Sequence, residues 1–563
     1  MSTKRKKKSL DENTSNDMDS ISSGHRVKKI LSSKKFILLA LLLFFSFSLN
    51  FIGNEWGLTG FSTWQPDTIE GDRTVTNMQF LFKTWRHKYP RGQYFINAIF
   101  YYPVLKRWEK NPVTLTDASG QRRLSALSLE RLVVLAEISR WIMLFMNLGT
   151  IIAVFLTAYY LLGDYLSAFL AGFTISFSNL FVFYSSFGHV DVPFVFWFAW
   201  SGYFAVRAIY EQKWLHIIPA ALFGAYAVCT KDAYGGYVIG LGLTYLILIS
   251  INQYKDTKDF IKILKAVFSI KLLVATIIFV ALCLIMNGFL SGPDEFLGRL
   301  KTWNSDKHFY SSRTQLSLLR SAYRGLHTGL GWPLLILLAA GIINAAIRRR
   351  KLLILSLVPL IVFYLVTVVR IHFVADRFML AAYVGFSLLI GSFLADWIRL
   401  KRIPFIVRYS SILVLLALTV FYCIGLKLDM KYDARIRAEK WFHNNVSKDK
   451  IVGAALGGGS APRIGYQGYK QIFLWNSKGI PTSKGSIQFF PDYLIMSQKV
   501  IPRETKFDHA FRKELYAGQT MYKLVASFDS LYFDSPYSIY SLAVWPYQRT
   551  YLVSIPVDIF KKQ

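Results

Sequence analysis

Cysteine is almost missing from this chain, with three in 563 residues. Cys229, Cys283 and Cys423 each sit inside or at the end of an apolar run, which excludes a disulfide framework and a cysteine-built zinc site. Acidic residues are scarce as well: 34 Asp and Glu stand against 66 Lys and Arg, a formal net charge of +32. Charged residues of both signs make up only 18% of the chain, against 53% hydrophobic and 16% aromatic residues. So little charge excludes a soluble enzyme with one large core and points to a polytopic α-helical membrane protein. In a soluble protein the basic excess would suggest nucleic acid. In a membrane protein it gathers on cytoplasmic loops and meets anionic lipid, so no nucleic-acid partner is expected. The glycine triplet at 457–459 lacks both the GxGxxG spacing and the following acid of a phosphate-binding turn, and reads as a flexible turn.

What is present is a series of apolar runs. The first thirty-five residues form a basic, Ser/Asn/Asp-rich tail expected to be disordered and cytoplasmic. The run at 36–52 has a long polar lead and no small-x-small cleavage site in SLNFIGNEW, so it reads as a retained first helix rather than a signal peptide. Further runs lie at 138–162, 165–183, 192–210, 215–230, 237–251, 266–287, 331–347, 352–369, 374–397 and 405–428. Because a helix needs roughly 20 apolar residues to cross a bilayer, the sequence predicts about eleven transmembrane helices over 36–428. With a cytoplasmic amino terminus, four of the five cytoplasmic turns are basic (EQKW at 211, NQYKDTKDFIKILK at 252, RRRK at 348, RLKR at 399), as the positive-inside rule requires.

That topology puts polar groups from five separate segments on the outer face. The first outer loop, 53–137, is expected to carry amphipathic helices. It opens with WQPDTIEGDR, where Asp67, Glu70 and Asp72 are framed by Trp64, Arg73, Trp85, Tyr89 and Tyr94. A carboxylate at the mouth of a membrane cavity can take a proton from an incoming group; the same acids in a solvated linker would do nothing more than keep it wet. His189 and Asp191 stand where the chain re-enters the membrane, as a ligand or proton donor and as either a helix cap or a site carboxylate. Lys231, beside Asp232 and a Gly235-Gly236 turn, could pair with its neighbour or reach a phosphate. Arg377 lies in the first turn of an apolar helix, where Asp376 or an anionic ligand would have to balance it. The loop 288–330 adds Arg299, Lys301, Lys307, His308, Arg313, Arg320 and Arg324 among aromatics, a surface suited to a lipid head group or phosphate.

Beyond 428 the composition becomes that of a soluble α/β domain, 429–563, with strands expected at KIVGAAL (450), QIFLWN (471), DYLIMS (492) and YKLVASF (522), and a helix over 435–444.

Four motifs in this order, WQPDTIEG continuing to HKYPRGQYF, HVDVP, TKDAYGG and DRFMLAAYVGF, resemble the C-type superfamily of integral-membrane glycosyltransferases. Within it they are most similar to the group of protein O-mannosyltransferases and aminoarabinose transferases. The resemblance covers about 36–428. It implies transfer of a sugar from a polyprenyl-phosphate donor to an acceptor hydroxyl on a glycan, lipid or protein, with inversion. Asp67 would be the catalytic base. Many members carry Asp-Glu there, whereas Thr68 follows Asp67 here and the next acid is Glu70, so the assignment stays open between the two. Lys231, Arg377 and Arg313 would bind the donor phosphate. Asp191, His189 and Tyr94 would orient sugar or acceptor, or the first two could hold a divalent cation; no resident metal is assigned. A transporter or flippase of lipid-linked sugars is the rival class, although the internal repeats common in transporters are not evident. A lipid-binding scaffold without a base is the third. A bacterial plasma membrane with an outward-facing site is expected, with the endoplasmic reticulum as the alternative.

Overall fold

The computed structural model describes residues 35–58, 64, 68–78, 81, 89–111, 113–116, 122–125, 128–211, 213–257, 259–289, 292, 294, 297–298, 314–456, 461–473, 490–497, 509–532 and 553–563. The basic tail up to residue 34, Asp67, the glycines at 457–459, and Arg299, Lys301, Lys307, His308 and Arg313 lie outside the described residues.

Every apolar run is helical. The helices are α1 (Lys35–Phe51), α2 (Asp72–Met78), α3 (Gly92–Glu109), α4 (Leu129–Leu162), α5 (Tyr165–Ser176), α6 (Asn179–Tyr184), α7 (Asp191–Glu211), α8 (Ile217–Thr230), α9 (Gly235–Thr257), α10 (Phe260–Val267) and α11 (Ile270–Met286). They continue with α12 (Gln315–Ile347), α13 (Lys351–Ile371), α14 (Ala382–Arg399), α15 (Phe405–Lys431), α16 (Ala434–Asn445) and α17 (His509–Tyr516). Among the described residues, seven helical stretches are long and apolar enough to cross a membrane, and three shorter apolar helices join them. The protein is a multi-pass helical membrane protein.

Side-chain chemistry sets where these helices stop. At the α4–α5 turn, Gly163 takes the left-handed conformation (φ 64°) and its N–H reaches Tyr159 O at 2.9 Å. Asp164 then caps α5 by accepting from Ser167 N at 2.9 Å, so two residues suffice for the reversal. The run at 165–183, expected as one helix, is two. Ser176 and Ser178 bond back to Gly172 O (2.7 Å) and Thr174 O (2.9 Å), and the backbone turns extended at Ser178. Such back-bonding competes with the helical ladder. The run at 331–347 instead starts earlier, at Gln315, because the helix continues across a kink at Gly331 (φ 69°), two residues before Pro333. Arg320, Tyr323 and Arg324, expected in a loop, are therefore on the exposed side of its first half. A π-helical turn interrupts α13 at Tyr364–Val368.

The segment between α1 and α4 holds α2, α3 and a hairpin of β1 (Val113–Thr116) and β2 (Arg122–Ser125). In α3, Gln93, Asn97 and Tyr101 are buried while Ile99, Phe100 and Tyr102 are exposed. This inverts a water-soluble helix and suits one lying against lipid.

The carboxyl-terminal part forms a five-stranded mixed sheet of β3 (Ile451–Ala454), β4 (Lys470–Phe473), β5 (Tyr493–Met496), β6 (Tyr522–Phe528) and β7 (Val557–Lys562), ordered β4-β3-β5-β7-β6. β3 runs parallel to β4 and β5, and β7 antiparallel to β5 and β6. The four expected strands and the helix are present, α16 packing its Ala438 and Phe442 against Val452 and Ile495. β7 and α17 were not foreseen.

Candidate functional site

Two buried charge centres share one end of the bundle, and one turn of chain connects them. That turn, 187–190, links α6 to α7. On one side of it, Gly188 O accepts from Ile69 N at 2.8 Å and Gly188 N donates to Glu70 Oε1. A Cβ at Gly188 would lie 2.5 Å from Glu70 Cγ, so only glycine lets the Glu70 segment come this close. Glu70 pairs with Arg140 of α4, Nε to Oε1 at 3.0 Å, and both side chains are wholly buried. Arg140 also donates to Asn54 O and, at 2.9 Å, to Trp56 O. The loop behind Glu70 is fastened by Thr74 Oγ1 to Ile69 O (2.5 Å), Asn97 Nδ2 to Thr74 Oγ1 (3.2 Å) and Gly71 N to Tyr101 OH (3.2 Å).

On the other side of the turn, His189 Nδ1 faces Asp191 Oδ2. Lys231, at the end of α8, donates to Asp191 Oδ1 at 2.5 Å, with side-chain exposures of 4% and 0%. Tyr234, on the short 3-10 turn after Lys231, accepts from Lys231 Nζ at 3.0 Å, lies against the same Asp191 oxygen, and reaches Arg377 O at 3.0 Å. The Lys231 ammonium sits 4.1 Å from the ring centre of Tyr234, 5.5 Å from Phe378 and 6.0 Å from Tyr89. These rings shield it from water and favour its charge. Arg377 lies in electrostatic reach of the same Asp191 carboxylate. Burial holds His189 below its ordinary value against the pull of Asp191. The imidazole is therefore neutral beside a carboxylate that two cations already compensate.

Asp191, His189, Lys231 and Arg377 are thus brought into one cluster. The simpler pairing of Lys231 with Asp232 is not what forms: Lys231 turns to Asp191, and Asp232 Oδ1 accepts from Ala233 N at 2.9 Å. Asp191 gives its carboxylate to Lys231 and Tyr234. Lys231 holds Asp191 Oδ1, while His189 Nδ1 faces the other oxygen, Oδ2. Among the described residues no group of three or more His, Cys, Asp or Glu converges. Tyr94 is buried in a small apolar cluster with Ile69, Tyr89 and Val190. Sequence reasoning missed Tyr234 and Arg140. Tyr234 stands three places after Lys231 in TKDAYGG, the spacing at which a 3-10 turn stacks side chains. Arg140 was visible as a lone cation at the start of an apolar run, where burial demands a partner.

No family model matches the chain, and no curated protein matches it. Among solved structures it is similar to the oligosaccharyltransferase of Archaeoglobus fulgidus in the apo form, at 13% identity and a TM-score of 0.42 over 78% of this chain and 64% of that one. The chain therefore spans 64% of the archaeal protein's length. It is also similar to ArnT from Cupriavidus metallidurans. The apo state matches at 10% identity, TM-score 0.44, over 94% of this chain and 98% of that one. The form bound to undecaprenyl phosphate matches at 11% identity, TM-score 0.42, over 92% and 97%.

Proposed function

We propose that the chain is a membrane glycosyltransferase that moves a sugar from a polyprenyl-phosphate donor to an acceptor hydroxyl, with Asp67 as general base and the site on the outer side of the membrane. The observation that carries the reading is the buried Lys231 bonded to Asp191, with the half-buried Arg377 in electrostatic reach of the same carboxylate, at the helix ends. The acid-bearing segment is pinned to the same turn through Ile69 and Gly188. A sugar on a lipid phosphate already has a good leaving group, so its transfer needs a base for the acceptor and cations for the departing phosphate. Asp67 takes the acceptor's hydroxyl proton, and the oxygen's electron pair forms the bond to the anomeric carbon from the face opposite the phosphate. The bond from that carbon to the phosphate oxygen breaks, its electron pair leaves on the phosphate, and Lys231 and Arg377 balance the new charge. The anomeric centre inverts.

Glu70, the other acid considered, gives its oxygens to Arg140 and Gly188, which favours an anchoring role and leaves the base to Asp67. Asp191 holds Lys231 in place, His189 supports Asp191, and Arg313 supplies a further contact to the phosphate. The gathering of charge at helix ends also favours transfer over transport, because a transporter places its polar site near the bilayer midplane. The test is incubation of the purified protein with polyprenyl-phosphate sugars labelled in the sugar. Release of polyprenyl phosphate with labelled acceptor supports the reading; intact donor carried across vesicles without cleavage would replace it with the flippase reading.

A further inference from the structure

Away from the two charge centres, α7, α8, α9 and α11 enclose an apolar cleft of about 290 Å³. Its floor is Gly224 of α8, where a Cβ would meet Ser201 Oγ at 3.1 Å, Val238 Cγ1 at 3.3 Å and Phe279 Cε2 at 3.7 Å. Its flank is open. Gly242 of α9 is exposed, a Cβ there would meet nothing within 4 Å, and Ile239 beside it is 57% exposed. Only 6% of the apolar window through α11 is buried inside the protein, against 67% for α4. α11 thus leans on α8, and the gap between it and α9 faces the lipid of the bilayer. The hydroxyls in the wall are already used, Ser201 donating to Ala220 O at 2.7 Å and Thr276 to Leu272 O at 2.9 Å. What the wall offers a ligand is therefore hydrocarbon surface, which suits an aliphatic chain.

The cleft lies toward the end of the bundle opposite Asp191 and Lys231. Ile217, at the start of α8, lines it, and even its floor at Gly224 is roughly 10 Å along α8 from Lys231. At that far end α10 joins α9 to α11. Phe260, Ile261 and Leu264 are 70%, 62% and 41% exposed there, next to an exposed Lys265. A helix with this division of faces lies in the head-group layer. Lys271, also exposed, stands one turn before Ala275 of the cleft wall and on the same face of α11. We propose that the cleft binds an anionic membrane phospholipid, with one acyl chain between α9 and α11 and the phosphate meeting Lys265 and Lys271. Cations at helix ends beside an apolar cleft are the arrangement that selects anionic head groups. The donor's prenyl chain is the weaker fit, because its phosphate belongs with Lys231 at the opposite end. The phospholipid site itself does not need the transferase reading.

The test uses the full-length protein, stripped of lipid in detergent, and native mass spectrometry with added phosphatidylglycerol, phosphatidylcholine of the same chains, or polyprenyl phosphate. Phosphatidylglycerol should bind about 10-fold or more tightly than phosphatidylcholine, since each lysine at an anionic head group contributes roughly fivefold. Lys265→Gln combined with Lys271→Gln should bring the two lipids within about twofold of each other. Gly242→Leu, which fills the cleft from a position with free space, should weaken phosphatidylglycerol at least about tenfold while the lipid-free protein melts as the wild type does. Independently of any substitution, phosphatidylglycerol carrying a photoreactive acyl chain should mark wild-type peptides of α9 and α11 around Gly242 and Ala275. Equal affinity of the wild type for the two phospholipids, unchanged binding in Gly242→Leu, or marks elsewhere on the bundle would each overturn the proposal. So would displacement of the photoreactive lipid by polyprenyl phosphate, which would give the cleft to the donor's prenyl chain.

Discussion

Glu70 and Arg140 show what a buried ion pair demands. With both side chains fully buried, removing one partner strands the other, and breaking such a pair costs about 3–5 kcal/mol. Arg140→Leu should lower stability by that amount in thermal unfolding of the detergent-solubilised protein, and Arg140→Leu with Glu70→Leu should recover part of it. Lys231→Met should weaken the inhibition of transfer by polyprenyl phosphate roughly 10- to 100-fold, the range expected for losing hydrogen bonds to a charged group. His189 sets the pH response. Its folded pKa lies below the ordinary 6.5 through burial, with Asp191 opposing and Arg377 and Lys231 reinforcing. The unfolded chain thus accepts a proton that the folded one resists. Stability is full above about pH 6.5 and is lost as pH falls through and below that value. His189→Gln should flatten that loss in unfolding midpoints measured from pH 7.5 to 5. At this scale the sequence singled out Asp191, His189, Lys231 and Arg377, because a charged side chain beside an apolar run has few innocent explanations. It could not decide their pairing, which depends on α7, α8 and the turn before α14 meeting. The neighbours that complete them, Tyr234 and Arg140, gave only weak signals of spacing and isolation.

Between elements, close approach depends on glycine. A Cβ at Gly391 of α14 would lie 2.6 Å from Ala171 N and 2.7 Å from Ser167 O of α5, backbone atoms that cannot swing away. Small residues at such crossings let membrane helices pack. Gly391→Ala should destabilise by about 1–3 kcal/mol, whereas Gly242→Ala, where the Cβ would meet nothing within 4 Å, should be nearly neutral; parallel melts of the two variants compare them. The long apolar helices were legible from apolar runs alone, but their ends were not, and the short helices α2, α10 and α17 lie mainly outside those runs. The break between α5 and α6 comes from serine back-bonds, and the extension of α12 back to Gln315 from a kink that an apolar run beginning at Gly331 conceals.

Across the whole molecule, charge is sorted by end. The Asp191 and Glu70 centres occupy one set of helix ends. Pairs such as Arg350 with Asp396 (2.7 Å) and Arg207 with Glu211 (2.9 Å) occupy the other. The sheet order of the carboxyl-terminal part, with β7 inserted between β5 and β6, was beyond sequence reasoning because pairing between distant strands leaves no local pattern. The most direct test of the account is the Asp67→Asn variant with labelled polyprenyl-phosphate sugar, measuring sugar transfer and donor binding together. The account predicts that transfer falls by at least about three orders of magnitude, within the range a positioned base supplies, while donor binding is unchanged. Transfer at the wild-type rate by Asp67→Asn would contradict it.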